Sequence, residues 1–311
     1  MDPVCHTLVG AALAETGLKR RTALGTATLV VGANLPDVDV LAYAVGPVTA
    51  LWFRRGVTHG LVSLIVLPLV LLGLVLLWDR LVRRRGGRVP ERAVIPAQVF
   101  LLAIIAIATH PLLDFMNSYG MRWLMPFSGR WFYGDTLFIV DPWVWAGLTA
   151  GFVLARRRKS GRPAAAALAG LALYIVAMGT SNIAARSLIK ASVTDALGAE
   201  PVRIMAAPLP VNPMRRWVVI EEGETYRFGS FDWVRSPRFV LSDHTIERGP
   251  RSPVAAAATR GPEVRKFLSW ARFPFFVVER RRGGHAVHIG DARYTLDASD
   301  SWAAMTVELP D

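Results

Sequence analysis

Cysteine is nearly missing from this chain of 311 residues. The single one, Cys5, excludes an internal disulfide and any Cys-rich metal site. Its neighbour His6 would let it serve as a ligand, although a lone cysteine is more often a small buried apolar residue. Also missing are an internal repeat, a Walker loop, a Gly-rich dinucleotide fingerprint and a Gly-x-Ser-x-Gly elbow, which argues against the nucleotide-binding and serine-hydrolase classes that depend on them. No basic region precedes the first apolar stretch, so the amino end does not read as a cleavable signal peptide and the first helix is expected to be retained. Acidic residues are outnumbered, 24 Asp and Glu against 36 Lys and Arg, for a formal charge of +12. The basic residues fall in short clusters between apolar runs rather than along one polar face, so nucleic acid is not an expected partner.

What the chain has in excess is apolar residues, 52% of the total, which points to a membrane protein. Asp2 followed by Pro3 marks a helix start, a capping carboxylate ahead of proline at the first helical position. Apolar runs follow at 4–18, 23–43, 61–78, 95–117, 141–155 and 163–183, giving about six membrane helices. The fold class expected is therefore mainly α: a polytopic helical bundle over residues 1–189. Beyond it, prolines, charges and alternating apolar residues announce a small, mostly β extramembrane domain over 190–311. Strands are expected at 216–221, 225–231, 274–282 and 285–289, with Gly283-Gly284 as a two-residue hairpin turn and a short helix at 262–270.

Lys and Arg number three, six and five in the loops 19–21, 79–92 (which includes Arg88) and 156–162, against two each in 44–57 and 118–140. The positive-inside rule places the first set in the cytoplasm. The amino terminus and the tail domain are then outside, and His6, Asp37, Asp39, His59, His110, Asp114 and Asp141 all lie near outer helix ends. Charge counting and the positions of these residues are independent, and they agree.

Intramembrane imidazoles and carboxylates need partners. His110 and Asp114, four residues apart, share one face of a helix about one turn apart, with Asn117 continuing that face; this is metal-ligand spacing, and equally the spacing of a hydrogen-bonded pair. In Asn34-Leu-Pro-Asp37-Val-Asp39, Pro36 should break the helix and aim the two carboxylates into a cavity. Histidines and aspartates without a cysteine cluster form a nitrogen and oxygen site suited to Zn²⁺ or Mn²⁺, with room for a metal-bound water. Arg54 and Arg55 could hold an anionic phosphate, or lie along headgroups as interfacial arginines do. His244, His285 and His288, in the tail, are not expected to be ligands.

Asp-Pro-Val-Cys-His6-Thr-Leu-Val-Gly, Leu-Pro-Asp37-Val-Asp39, Arg55-Gly-Val-Thr-His59-Gly and His110-Pro-Leu-Leu-Asp114, in that order, resemble the membrane-bound metal-dependent hydrolase family of YdjM-like, LexA-regulated inner-membrane proteins. The resemblance covers the helical part well and the tail loosely. More remotely, the order His, Asp, His, His-x-x-x-Asp is similar to zinc-dependent phospholipase C and P1 nuclease. That likeness implies that His59, His110 and one of Asp37 or Asp39 bind one zinc, that Asp114 bridges, and that His6 belongs to another. Those enzymes carry further ligands downstream, whereas here only Asp135 and Asp141 are nearby, so one or two ions are expected.

The expected function is an inner-membrane, multi-pass, metal-dependent hydrolase of a phosphate ester in a lipid or lipid-linked substrate at the outer leaflet. Metal-bound hydroxide would attack, the non-ligating member of Asp37 and Asp39 would act as general base, and Arg54, Arg55 and Asn117 would contact substrate. A non-catalytic assembly factor with a structural metal and an ion-coupled transporter are the alternatives.

Overall fold

A computed structural model describes residues 1–85, 91–299 and 301–310, so Arg88 of the basic loop lies outside the described residues. The chain divides into two compact units, one of residues 1–40 and 54–179, the other of residues 41–53 and 180–311.

The first unit is helical. Asp2 caps α1 (Pro3–Glu15), its side chain accepting from Val4 N and Cys5 N. A turn through Gly17 leads to α2 (Gly25–Asn34), which gives way at Leu35–Ala44 to ten residues of 3₁₀ helix. Pro36 lies at that change: proline has no N–H to continue the α-helical ladder, and the tighter winding rotates the side chains that follow it. In the second unit, α3 (Pro47–Phe53) follows. The first unit resumes with α4 (Ser63–Trp78), continued by a π-helical turn at Asp79–Arg83, then α5 (Pro96–Phe115), α6 (Pro142–Arg157) and the start of α7 (Arg162–Leu197).

Among the described residues three helices are long and apolar enough to cross a membrane: Ser63–Arg83, Pro96–Phe115 and Arg162–Leu197. The other segments expected as spans are shorter as helices, α1 with 13 residues, α2 with 10 and α6 with 16.

Close packing of α1, α2 and α5 brings the motif residues together. At Gly10 a Cβ would come within 2.7 Å of Leu29 O, and at Gly32 within 2.9 Å of the Ala106 Cβ. Glycine at these positions lets the backbones approach as small residues do in membrane helix pairs. Buried Ala14, Leu29, Ala33, Leu102 and Ala106 fill the seam.

The second unit is mostly β. A four-stranded antiparallel sheet runs in chain order, β1 (Arg203–Pro208), β2 (Arg215–Glu222), β3 (Thr225–Asp232) and β4 (Phe239–Glu247). After α8 (Pro253–Ala258) and α9 (Pro262–Trp270) comes a three-stranded sheet of β5 (Pro274–Arg281), β6 (Gly284–Asp291) and β7 (Ala304–Pro310). Ala185, Ile189 and Val193 of α7 pack on Ile204, Val218, Ile220 and Phe231 of the first sheet. The β5–β6 turn falls one residue earlier than expected: Arg281 pairs with Gly284, so the turn is Arg282-Gly283, and Gly283 takes the positive φ of +81°. Strands β1, β4 and β7 and helix α8 are additions to the expected set.

Candidate metal centre

Three parts of the first unit deliver four ligand-capable side chains to one point: Asp37 from the 3₁₀ stretch, His59 from the loop before α4, and His110 with Asp114 from successive turns of α5. One ligand atom from each lies within 4.8 Å of all the others. The two Nε2 atoms of His59 and His110 are 3.1 Å apart. Asp114 Oδ2 is 3.3 Å from His59 Nε2 and 3.6 Å from His110 Nε2, and Asp37 Oδ1 is 3.9 and 3.8 Å from the same atoms. Four donors ~2.0–2.2 Å from a tetrahedrally held zinc ion would lie ~3.3–3.6 Å from one another. The set therefore has close to the spacing of a tetrahedral site.

Proton placement supports the same conclusion. His110 Nδ1 is 2.7 Å from Ala33 O, and a carbonyl can only accept, so Nδ1 carries a hydrogen and Nε2 presents a lone pair. Thr58 Oγ1 donates to Asp39 Oδ2 at 3.0 Å; its oxygen can then accept from His59 Nδ1 at 2.9 Å, while Asp39 Oδ2 lies 3.3 Å from the same nitrogen. His59 too turns Nε2 inward. The carboxylates are partly offset by Arg54 and Arg55, but two imidazole lone pairs 3.1 Å apart repel unless a proton or a cation lies between them, so the donor set fits a divalent metal. Burial works against a charged His59, but hydrogen bonds to Asp114 and Asp39 and their negative charges outweigh it and hold the imidazole above its ordinary pKa. A proton can thus stand in for the cation.

Around these four, each other predicted residue has a definite place. Asp39 stands on the Nδ1 side of His59 and accepts from Arg55 N at 2.8 Å. Arg55, at φ +53°, turns that N–H toward Asp39 and sends its guanidinium the other way. There Nε is 2.9 Å from Asp114 Oδ2, and Nη1 donates to Asn117 Oδ1 at 2.8 Å. Only 3% exposed, with its guanidinium over the Tyr119 ring, Arg55 orients Asp114 rather than offering itself to a substrate anion. Asn117 in turn positions Arg55, and its Oδ1 also accepts from Tyr119 N. Arg54 reaches Asp37 Oδ1 at 3.0 Å and Asp39 Oδ1 at 3.5 Å. His6 stacks on His110 with ring centroids 3.7 Å apart, and its Nε2 lies 3.3 Å from Asp114 Oδ1, an atom also contacted by the Met1 amino group.

The two further acidic candidates are not members of the four-residue group. Asp141 caps α6, accepting from Trp143 N and Val144 N through Oδ1 and from Tyr174 Oη through Oδ2. Asp135 is buried in a residue of positive φ. Thr58, Tyr119 and the Ala33 carbonyl join the site without being among the residues expected there. Thr58 stands directly before His59 and could have been found there, but a backbone carbonyl leaves no signal in a sequence.

A family model described as YdjM inner membrane protein matches residues 1–184, more than half of the chain and all of the residues just described. No curated protein and no solved structure matches, so the remoter likeness to zinc-dependent phospholipase C and P1 nuclease rests on residue order alone.

Proposed function

The chain belongs to the YdjM inner membrane protein family, and from that premise we propose that it is a multi-pass, metal-dependent hydrolase of a phosphate ester in a lipid or lipid-linked substrate. The carrying observation is the set of four inward-facing donors at near-tetrahedral separations. Asp37, His59, His110 and Asp114 would hold a first ion, zinc or manganese, and His6 with Asp114 Oδ1 would contribute to a second. Such a cation supplies Lewis-acid polarisation of a phosphoryl oxygen and activation of water.

The protein's own residues set up that chemistry. Asp39 keeps the proton on His59 Nδ1 and so keeps Nε2 free, which makes it a positioning residue in place of the expected general base. Arg55 holds both oxygens of Asp114 in register and offsets part of its buried charge. Arg54, paired with Asp37 and Asp39 and 23% exposed on its side chain, is the arginine that reaches the rim, where a phosphate oxygen would meet it.

The surplus of Lys and Arg in 19–21, 79–92 and 156–162 supports a six-helix arrangement with the metal site and residues 190–311 on the outer side of the inner membrane. In that arrangement α1, at 13 residues or about 20 Å, is shorter than the ~30 Å hydrocarbon core and crosses by locally thinning the bilayer.

One observation favours a second reading. His6, His59, His110 and Asp114 are fully buried, as ligands of a structural ion in a non-catalytic membrane assembly factor would be. Asp37 is the ligand that reaches the surface, with a side chain 14% exposed. The test is metal content and phosphate release from mixed lipid extracts, using detergent-purified wild type and His110→Ala. The hydrolase reading requires bound transition metal and metal-dependent turnover, both lost in His110→Ala. Metal without turnover selects the assembly-factor reading, and absence of stoichiometric metal refutes both.

A further inference from the structure

Two apolar grooves meet on the surface of α2. One, of about 460 Å³, is lined by residues including Val30, Val31, Leu35, Val38 and Asp37. The other, of about 210 Å³, is bounded by Leu24, Ala27 and Val31 on the α2 side and by Leu71, Leu74 and Trp78 on α4. Val31 lines both and is 46% exposed. Asp37, a member of the metal group, is among the described residues the one charged residue lining either groove.

The run from Leu24 to Asn34 along α2, then three residues of 3₁₀ helix to Asp37, is about 21 Å long, against ~15 Å for the hydrocarbon of one bilayer leaflet. The walls suit a hydrocarbon tail and offer little to a glycan or peptide, which would need hydrogen-bonding partners along its length.

We propose that this groove holds one acyl chain of a membrane lipid carrying a phosphate-ester headgroup. The headgroup lies at Asp37, and the tail runs along α2 past Val31 toward Leu24 and Trp78. The inference rests on the reading of the site as a metal-dependent phosphoesterase and adds how its substrate is presented: laterally, from within the bilayer. A tail that leaves the bilayer for an apolar groove gains no hydrophobic free energy, because lipid is as apolar as the groove. Selection must then come from the headgroup at the Asp37 end, and the groove fixes where the ester bond lies.

Two probes test this, a phosphatidic acid and a diacylglycerol. Each carries a diazirine midway along one acyl chain and is a minor component of phosphatidylcholine vesicles holding the full-length, zinc-loaded protein. After illumination and peptide mapping, phosphatidic acid adducts should concentrate on residues 24–38 and 71–78, well above those from diacylglycerol. Val31→Trp should bring them down to the diacylglycerol level with zinc content unchanged. Ala27→Trp, which blocks only the far groove, should remove adducts on 71–78 and keep those on 30–38. Equal labelling by the two probes, or adducts spread over α4 and α7 in proportion to exposure and indifferent to both substitutions, overturns the proposal. Its failure is distinct from that of the hydrolase reading: zinc bound and phosphate released without groove adducts refutes the groove alone. Groove adducts without turnover leave a lipid site and refute the hydrolase.

Discussion

Asp39→Asn separates a residue that orients a ligand from one that is a ligand. Asp39 Oδ2 accepts from Thr58 Oγ1 at 3.0 Å and Arg55 N at 2.8 Å, and lies 3.3 Å from His59 Nδ1. Asparagine keeps one oxygen acceptor but loses the charge that favours a proton on Nδ1. Partners of this kind typically contribute 10–100-fold to metal affinity, or roughly 1.4–2.7 kcal/mol. A direct ligand shares in the ~10–16 kcal/mol of a four-donor zinc site, so an even quarter is ~2.5–4 kcal/mol, on the order of 10²–10³-fold. Asp39→Asn should therefore weaken zinc binding by about 10–100-fold, and Asp37→Asn should weaken it by more. Competition with a chromophoric chelator in detergent measures both, and melting curves without metal check that each variant folds. If Asp39→Asn matches or exceeds Asp37→Asn, the assignment of ligand and orienter is reversed; if it has no effect, the His59 tautomer is not set as described.

Removing the Arg55 guanidinium takes from the buried charge of Asp114 its arginine partner, and breaking a buried pair in this way typically costs ~3–5 kcal/mol. Arg55→Met should lower the melting temperature of metal-free protein by more than that of zinc-loaded protein, because the ion supplies the missing charge; equal losses in a thermal shift assay would show that Arg55 does not act through Asp114. Metal loading should also fall in acid, since His59 has a raised pKa and must give up its Nε2 proton to bind. The sign reverses in metal-free protein: protonated His59 stabilises the fold fully below its unfolded value of about 6.5, and that contribution is lost as pH rises through the raised folded value. Zinc loading across pH 5–9 should therefore rise with pH, while the melting-temperature difference between metal-free wild type and His59→Gln should shrink over the same range; a difference that does not change with pH would refute the account.

Much of the helical unit is legible in the sequence. Asp2-Pro3 at the start of α1, the spacing of His110 and Asp114, and Pro36 ahead of Asp37 each state a local rule that the chain obeys: a cap, a helical repeat, a break in the ladder. The alternation in 216–221 and 225–231 likewise marks β2 and β3. What composition cannot state is which polar groups meet. Arg54 and Arg55 are adjacent and chemically alike, yet a residue of positive φ sends the second inward to Asp114 and leaves the first at the rim beside Asp37. Asp37 and Asp39 are likewise equivalent on paper. The 3₁₀ winding after Pro36 points one at His59 Nε2 and the other at Nδ1, 3.9 and 3.3 Å away. Local sequence determines backbone periodicity because its causes lie within one or two turns. Ligand against orienter, and exposed against buried arginine, depends on contacts between α1, α2, the 3₁₀ stretch and α5, residues up to 108 apart, and only tertiary packing supplies them.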